Sequence, residues 1–397
     1  MVLTTSVASM KDPMIQAGMF TAQIEYDYIS WLLNAAAQKA AQAQINVSQR
    51  LTEEQQVQVV KRYFNLVRDL EIARTQVELV FIDPRITDPE TAAAELLAQQ
   101  HALEAALESL APLVESILQA QVTQVLAEAG IGELANPGPP VLFHSSPLPK
   151  ALIVSPRDSI QQQVNISLLS DLSMEEISAL ESEIEEYMDA SALVVDVGGI
   201  GVYPTMVQRS SSIAWTIDTI AHEWAHNYLS LRPLGMNYDT TPELRTMNET
   251  TASIIGNEIS AKVMERFYSE NQSGNGKSGK AVLRAEPTAV FDFHHEMYLT
   301  RLRVDELLAQ GKVVEAEAYM EQRRVLFVEH GYMIRRLNQA YFAFHGAYAS
   351  TPGGAAGEDP VGPAVRQLRA NADSLADFLK QISQMNSFTD LQAAINS

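Results

Sequence analysis

A run of turn-forming residues, Asn136-Pro137-Gly138-Pro139-Pro140, divides this chain of 397 residues into two parts that differ in composition and in apolar periodicity. From about Asp12 to Gly130, Ala, Gln, Glu and Leu dominate, and apolar residues recur at steps of three and four, the period of an amphipathic helix. This part predicts three long helices with breaks near Val47-Ser48 and at Asp83-Pro84. A bundle used for packing or for contact with a partner is its expected role.

The residue types and their pattern change after the proline-rich run. Short, partly β-branched segments predict strands of a small sheet, and an acidic segment from about Ser173 to Asp189 predicts a helix between the last two of them. The three predicted strands are Val141-Leu142-Phe143, Ala151-Leu152-Ile153-Val154 and Ala192-Leu193-Val194-Val195. The chain is therefore expected to be α+β and predominantly helical, with an N-terminal helical region (1–135), a central core (136–275) and a C-terminal helical region (276–397).

Composition excludes several classes of function. Hydrophobic residues make up 46% of the chain, enough for a sizeable core, and the net charge of -21 disfavours nucleic acid as a partner. No continuous apolar run is long enough to predict a membrane-spanning segment. The chain has no cysteine, so any metal must be held by His, Asp or Glu. The lack of cysteine favours an extracytoplasmic bacterial setting without deciding the compartment.

The segment that carries chemistry is His222-Glu223-Trp224-Ala225-His226. Ser210-Ser211-Ser212 offers an N-cap for a helix from Ile213 to about Leu231, and Ile213, Ile217, Ile220, Trp224 and Leu231 form its expected core-facing stripe. On that helix the two histidines lie one turn apart on one face, so that both imidazoles can reach one Zn2+ ion. Glu223 is rotated by about 100° from His222, so its carboxylate is placed beside the ion as a base.

A catalytic zinc site needs a third protein ligand. The next predicted helix, from Thr240-Thr241-Pro242-Glu243 to about Tyr268, carries the best candidate, Glu249, within Asn248-Glu249-Thr250-Thr251-Ala252. Asp239, Glu243 and Glu258 are other carboxylates near the histidines in sequence, and they remain alternatives.

From about Gly198 to Ser269 the sequence resembles the gluzincin metallopeptidases, whose HExxH helix is followed by a helix with a ligand glutamate in an Asn-Glu pair. The resemblance implies a zincin-like core and His222, His226 and Glu249 as the ligands of Zn2+. It implies Glu223 as the base that deprotonates a metal-bound water. Two features depart from the family. Ser253 stands where thermolysin-like members carry aspartate, and the Gly-x-Met-Glu-Asn element of the aminopeptidase branch is absent.

Two further sets of site residues are implied by the resemblance. The glycine-rich strand before the active helix, with Gly199, Gly201 and Tyr203, is expected to bind extended substrate by main-chain pairing. A Tyr or His downstream of the glutamate stabilises the oxyanion in gluzincins, and His345 and Tyr341 are the candidates. They share a predicted helical face with Tyr348, and Tyr238 is a further option.

The sequence thus predicts a zinc peptidase acting on a peptide or protein substrate. An endopeptidase in particular is expected because the Gly-x-Met-Glu-Asn element, whose glutamate binds the substrate's free amine in the aminopeptidase branch, is missing. The alternatives are an aminopeptidase and a non-catalytic binding or scaffold protein in which zinc ties two helices together. The second alternative would not need Glu223 and would normally have a fourth protein ligand.

Overall fold

The computed structural model describes residues 12–45, 50–82, 86–132, 138–269, 291–346 and 360–396. The breaks predicted near residues 47–48 and 83–84 lie outside these ranges, as do Tyr348 and the predicted region boundaries at 135 and 275. The predominantly helical α+β class predicted from the sequence is confirmed within the described residues.

The N-terminal segment forms four helices, one more than predicted: α1 (Pro13–Thr21), α2 (Tyr28–Ile45), α3 (Glu53–Ile82) and α4 (Pro89–Glu128). The additional break separates α1 from α2. There the Asp27 carboxylate accepts hydrogen bonds from the backbone N–H groups of Ile29 at 3.0 Å and Ser30 at 3.1 Å. These are the bonds of a helix N-cap, so a local side chain starts α2 where apolar periodicity alone shows no interruption.

Six short strands form two three-stranded sheets: β1 (Phe143–Ser145), β2 (Lys150–Pro156), β3 (Val164–Leu168), β4 (Ala190–Asp196), β5 (Gly199–Ile200) and β6 (Thr205–Val207). One sheet has the antiparallel order β3-β2-β4. The other has the order β1-β6-β5, with β1 parallel and β5 antiparallel to β6. The glycine-rich strand is thus an edge strand of only two residues, and neither β3 nor β6 was predicted.

The remaining elements are helices: α5 (Met174–Met188), α6 (Ile213–Leu229), α7 (Pro233–Met236), α8 (Pro242–Val263, continued by a π-helical turn to Tyr268), α9 (Phe293–Ala309), α10 (Val313–Glu329), α11 (Gln339–His345), α12 (Val361–Asn371), α13 (Leu375–Ile382) and α14 (Phe388–Ile395). Ser212 caps α6 by accepting from the Trp215 N–H, and Thr241 caps α8 by accepting from the Leu244 N–H. Both helices therefore begin where the sequence predicts.

One hydrophobic cluster contains residues of α3, α4, α6, α8 and the C-terminal helices α12 to α14. Helix α6 is the one that carries His222 and His226. Ile217, Ile220 and Trp224 of α6 are almost completely buried in it. The prediction that Leu231 faces the core is wrong, since 78% of this residue is exposed. The reason is that α6 ends at Leu229, and the chain turns at Ser230 before the helical face could bring Leu231 inward.

Helices α6 and α8 pack antiparallel. The Ser260 hydroxyl donates to the Ala214 carbonyl, and His226 near the other end of α6 contacts Asn248 near the start of α8. Gly256 lies between these contacts, where a Cβ would come within 2.9 Å of the Asp218 carbonyl oxygen. Close helix packing at this glycine brings the histidine face of α6 against the first turns of α8.

Among the described helices, none combines the length with the apolar composition that a membrane-spanning segment requires.

Candidate metal centre

His222 and His226 of α6 and Glu249 of α8 converge on one point between the two helices. The two Nε2 atoms are 3.1 Å apart, and each is 3.5 Å from Oε2 of Glu249. No other group of three or more His, Cys, Asp or Glu residues within the described ranges comes together closely enough to hold a metal ion.

These separations match the edges of a zinc coordination polyhedron. Two ligand atoms that each lie about 2.0–2.1 Å from a tetrahedral ion are about 3.3 Å apart. The Glu249 Oε2 atom is also buried, and no hydrogen bond reaches it. A buried carboxylate oxygen without a donor is costly, and a cation at the centre of the three atoms would satisfy it. Two imidazoles and one carboxylate are a donor set that suits Zn2+, so the residues present fit the ion.

Neighbouring side chains fix the orientation of the candidate ligands. The second ring nitrogen of His226, Nδ1, lies 2.8 Å from the amide oxygen of Asn248, so it donates a hydrogen bond and Nε2 is left facing Glu249. The Tyr238 hydroxyl donates to Oε1 of Glu249 and receives a hydrogen bond from Nε of Arg245 at 3.4 Å. The Tyr238 ring lies edge-on to the His226 imidazole, with 6.2 Å between the ring centroids.

Within the triad formed by His222, His226 and Glu249, the charges of Glu249 and His226 shift each other's pKa. Burial alone would raise the pKa of Glu249, but the neighbouring imidazoles hold it well below its usual range. Burial lowers the pKa of His226, yet the Glu249 and Glu223 carboxylates and the hydrogen bond to Asn248 together outweigh this effect and raise it to about 9. Burial raises the pKa of the Tyr238 phenol, and the adjacent Glu249 charge adds to that rise. Tyr238 therefore stays protonated as a hydrogen-bond donor.

The alternative third ligands lie elsewhere. Glu258 forms an ion pair with Arg369 of α12 at 2.7 Å, and Glu243 is exposed in the first turn of α8. Asp239 lines a separate, larger cavity of about 860 Å³. Of the four carboxylates considered, Glu249 is the one that meets both histidines.

Glu223 lies beside the triad under the glycine-rich edge strand. A Cβ on Gly199 would come within 2.7 Å of both Cγ and Oε1 of Glu223, and a Cβ on Gly201 would be 3.4 Å from its Oε2. The two glycines therefore leave the room that the carboxylate occupies. Burial raises the pKa of Glu223, while the nearby histidines act in the opposite direction.

Substituting Gly199 with alanine is expected to displace the Glu223 carboxylate. If Glu223 is the base that the sequence predicts, this change should lower peptide hydrolysis by about 100-fold, because misplacing a catalytic group by about 1 Å costs that much. Zn2+ content should not change. Gly18→Ala in α1 is the matched control, since its Cβ meets nothing within 4 Å; it should keep full activity and raise the free energy of unfolding by about 0.5–1 kcal/mol. Full hydrolysis by Gly199→Ala would contradict the placement.

A cleft of about 410 Å³ opens beside Glu223, His226 and Glu249. The segment Gly199–Val202 forms one wall, and Lys150 of β2, Asn165 and Ser167 of β3 and Phe344 of α11 contribute to others. Glu223 and Glu249 are the only carboxylates among the described residues that line this cleft.

The other site residues predicted from the sequence, Tyr203, Tyr341 and His345, do not line this cleft. Tyr203 is 39% exposed and donates a hydrogen bond to the Pro140 carbonyl, outside the cleft lining. The rings of Tyr341 and His345 contact each other in a tilted arrangement, with centroids 4.3 Å apart and 44° between the ring planes. Neither residue lines the cleft, although Phe344 does. Burial lowers the pKa of His345 to about 4 and raises that of Tyr341 to about 12. Their assignment to oxyanion stabilisation stays a prediction, and Tyr238 is the phenol that contacts the triad.

Arg245 is the residue at this site that the sequence analysis missed. It precedes Glu249 by one helical turn, so the two share a face of α8, and it is 9% exposed. An arginine four residues before a candidate ligand glutamate is a signal that could have indicated it.

Comparison of the chain with models of protein families, with curated proteins and with solved structures finds no match.

Proposed function

We propose that this chain is a zinc-dependent peptidase of the gluzincin type, in which His222, His226 and Glu249 hold Zn2+ and Glu223 is the catalytic base. The observation that carries the proposal is the convergence of three ligand atoms at the separations of a zinc polyhedron. The triad has three protein ligands rather than four, which leaves a position for substrate chemistry. A zincin-like core built on α6, α8 and the edge strand β5 belongs to the same proposal.

A bound Zn2+ ion supplies a Lewis acid that polarises the scissile carbonyl and lowers the pKa of water. Glu223 accepts the proton that the attacking water releases and then delivers it to the amine nitrogen as the C–N bond breaks. Its burial under Gly199 and Gly201 keeps this carboxylate in one place and out of bulk water. Among the described strands none pairs with the second edge of β5, so its main-chain groups are available to a peptide in extended conformation.

The composition of the cleft favours an endopeptidase. An aminopeptidase needs an anionic group to bind the free amine of its substrate, and the described cleft lining offers no carboxylate apart from the base and the ligand. A substrate that continues past the scissile bond on both sides carries no such amine at the site. The alternative, an aminopeptidase, would require an amine-binding group from another part of the chain.

A pair of peptide pools tests the proposal, identical in sequence and differing only in N-acetylation. We expect Zn2+-dependent hydrolysis of both pools at similar kcat/KM, abolished by a chelator and restored by added Zn2+. Cleavage of the free-amine pool alone, one residue at a time, would identify an aminopeptidase instead. Zinc bound without hydrolysis of either pool would favour the non-catalytic binding protein.

A further inference from the structure

The two oxygens of the Glu249 carboxylate have different surroundings. Oε2 faces the two imidazoles, whereas Oε1 accepts the hydrogen bond of the Tyr238 hydroxyl. The terminal torsion of a glutamate is broad and roughly two-fold, so the carboxylate by itself has no strong preference for this orientation. The bond from Tyr238 selects it and keeps Oε2 directed at the metal position.

The direction of the Tyr238 hydrogen bond is set in turn by Arg245. A guanidinium has only donors, so the contact between its Nε and the Tyr238 oxygen uses a lone pair of the phenol. The single phenol proton is then left to point at Glu249. Arg245, Tyr238 and Glu249 thus form a chain of donors that ends on the ligand, and Arg245 also lies near the Tyr238 ring, 6.0 Å from its centroid.

We propose that Arg245 is a positioning residue of the metal centre, acting through the Tyr238 hydroxyl to hold Glu249 in its ligating orientation. This inference rests on the proposed metal centre. Outer partners that orient a metal ligand are typically worth about 10–100-fold in metal affinity, and Arg245 should contribute on that scale.

A purely electrostatic role of Arg245 would have the opposite sign. A buried guanidinium near a cation site repels the cation, so that removing its charge should strengthen metal binding. Removing a positioning residue should weaken it. The sign of the change in Zn2+ affinity therefore separates the two roles.

The test is a double-mutant cycle in which Zn2+ affinity of the whole chain is measured by competition with a chromophoric chelator. Tyr238→Phe and Arg245→Met are each expected to weaken binding by about 10–100-fold. The double variant should bind no more weakly than Tyr238→Phe, because Arg245 acts through the hydroxyl that is already missing. Unchanged or tighter binding by Arg245→Met, or losses that add in the double variant, would overturn the proposal.

Two controls accompany the measurements of Zn2+ affinity. Thermal unfolding of each variant without metal, followed by circular dichroism, reports whether the buried substitutions leave the fold intact. Arg245→Lys retains a charged donor and should bind Zn2+ more tightly than Arg245→Met; equal or weaker binding would count against positioning. Hydrolysis is not a readout here, so failure of the cycle leaves the peptidase proposal standing. Failure of the unmodified chain to bind Zn2+ would remove both.

Discussion

Glu223→Gln is expected to keep its Zn2+ and to hydrolyse peptides about 10²–10⁴-fold more slowly than the unmodified chain, the range that general acid–base catalysis contributes. Glutamine has nearly the same volume and cannot accept the proton of the attacking water. It fits the space that Gly199 and Gly201 leave, so the ligands on the same helix should not move. Zinc content by mass spectrometry and kcat on an N-acetylated peptide are the two measurements.

The comparison variant is Glu258→Gln, which lies on α8 in the second Asn-Glu pair of the chain and is ion-paired with Arg369. It should retain both zinc and full hydrolysis, since its carboxylate is remote from the triad contacts. An unchanged kcat in Glu223→Gln would exclude Glu223 as the base. Loss of zinc in the same variant would show that its carboxylate supports the ligands instead.

Glu249→Gln is expected to have the largest effect on metal binding, a loss of Zn2+ affinity beyond the roughly 100-fold that an outer partner is worth. The amide is neutral and a poor zinc ligand, while its oxygen can still accept the Tyr238 hydrogen bond, so the local packing is retained. Affinity can be measured with the same chelator competition, and hydrolysis should fall with it.

Thermal unfolding gives an independent readout of the same prediction. With free Zn2+ at about 100 times its Kd, binding adds about 2.7 kcal/mol to the free energy of unfolding and raises the Tm. The unmodified chain and Glu258→Gln should show this rise and Glu249→Gln should not. A Zn2+-dependent rise of equal size in Glu249→Gln would place the ion elsewhere.

Much of the site was open to prediction because it rests on local rules. Two histidines four residues apart share a helical face whatever surrounds them. Helices α6 and α8 begin at Ser212 and Thr241, whose side chains bond to their own backbone. The end of α6 was harder, since the chain turns at Ser230 and leaves Leu231 exposed. Apolar periodicity indicates which residues could share a helical face, but it does not indicate the residue at which the helix ends.

The contacts that complete the site come from segments that are distant along the chain. Glu249 was one of four candidate carboxylates until the packing of α8 on α6 placed its Oε2 between the two imidazoles. Tyr238 and Arg245 lie nearer to Glu249 along the chain. Tyr238, in the turn before α8, donates to the other oxygen of that carboxylate, and Arg245, in the first turn of α8, donates to the Tyr238 hydroxyl. Tyr341 and His345 share a helical face, as expected, but helical spacing says nothing about which cavity that face lines.

From sequence alone, this protein is a predominantly helical α+β chain with a helix that presents two histidines and a glutamate, because helical period and capping are properties of neighbouring residues. The tertiary structure alone decides that the Glu249 carboxylate meets both histidines and that Gly199 and Gly201 make room for Glu223. Those relations depend on how helices and an edge strand pack across long stretches of chain, and no local pattern encodes that packing.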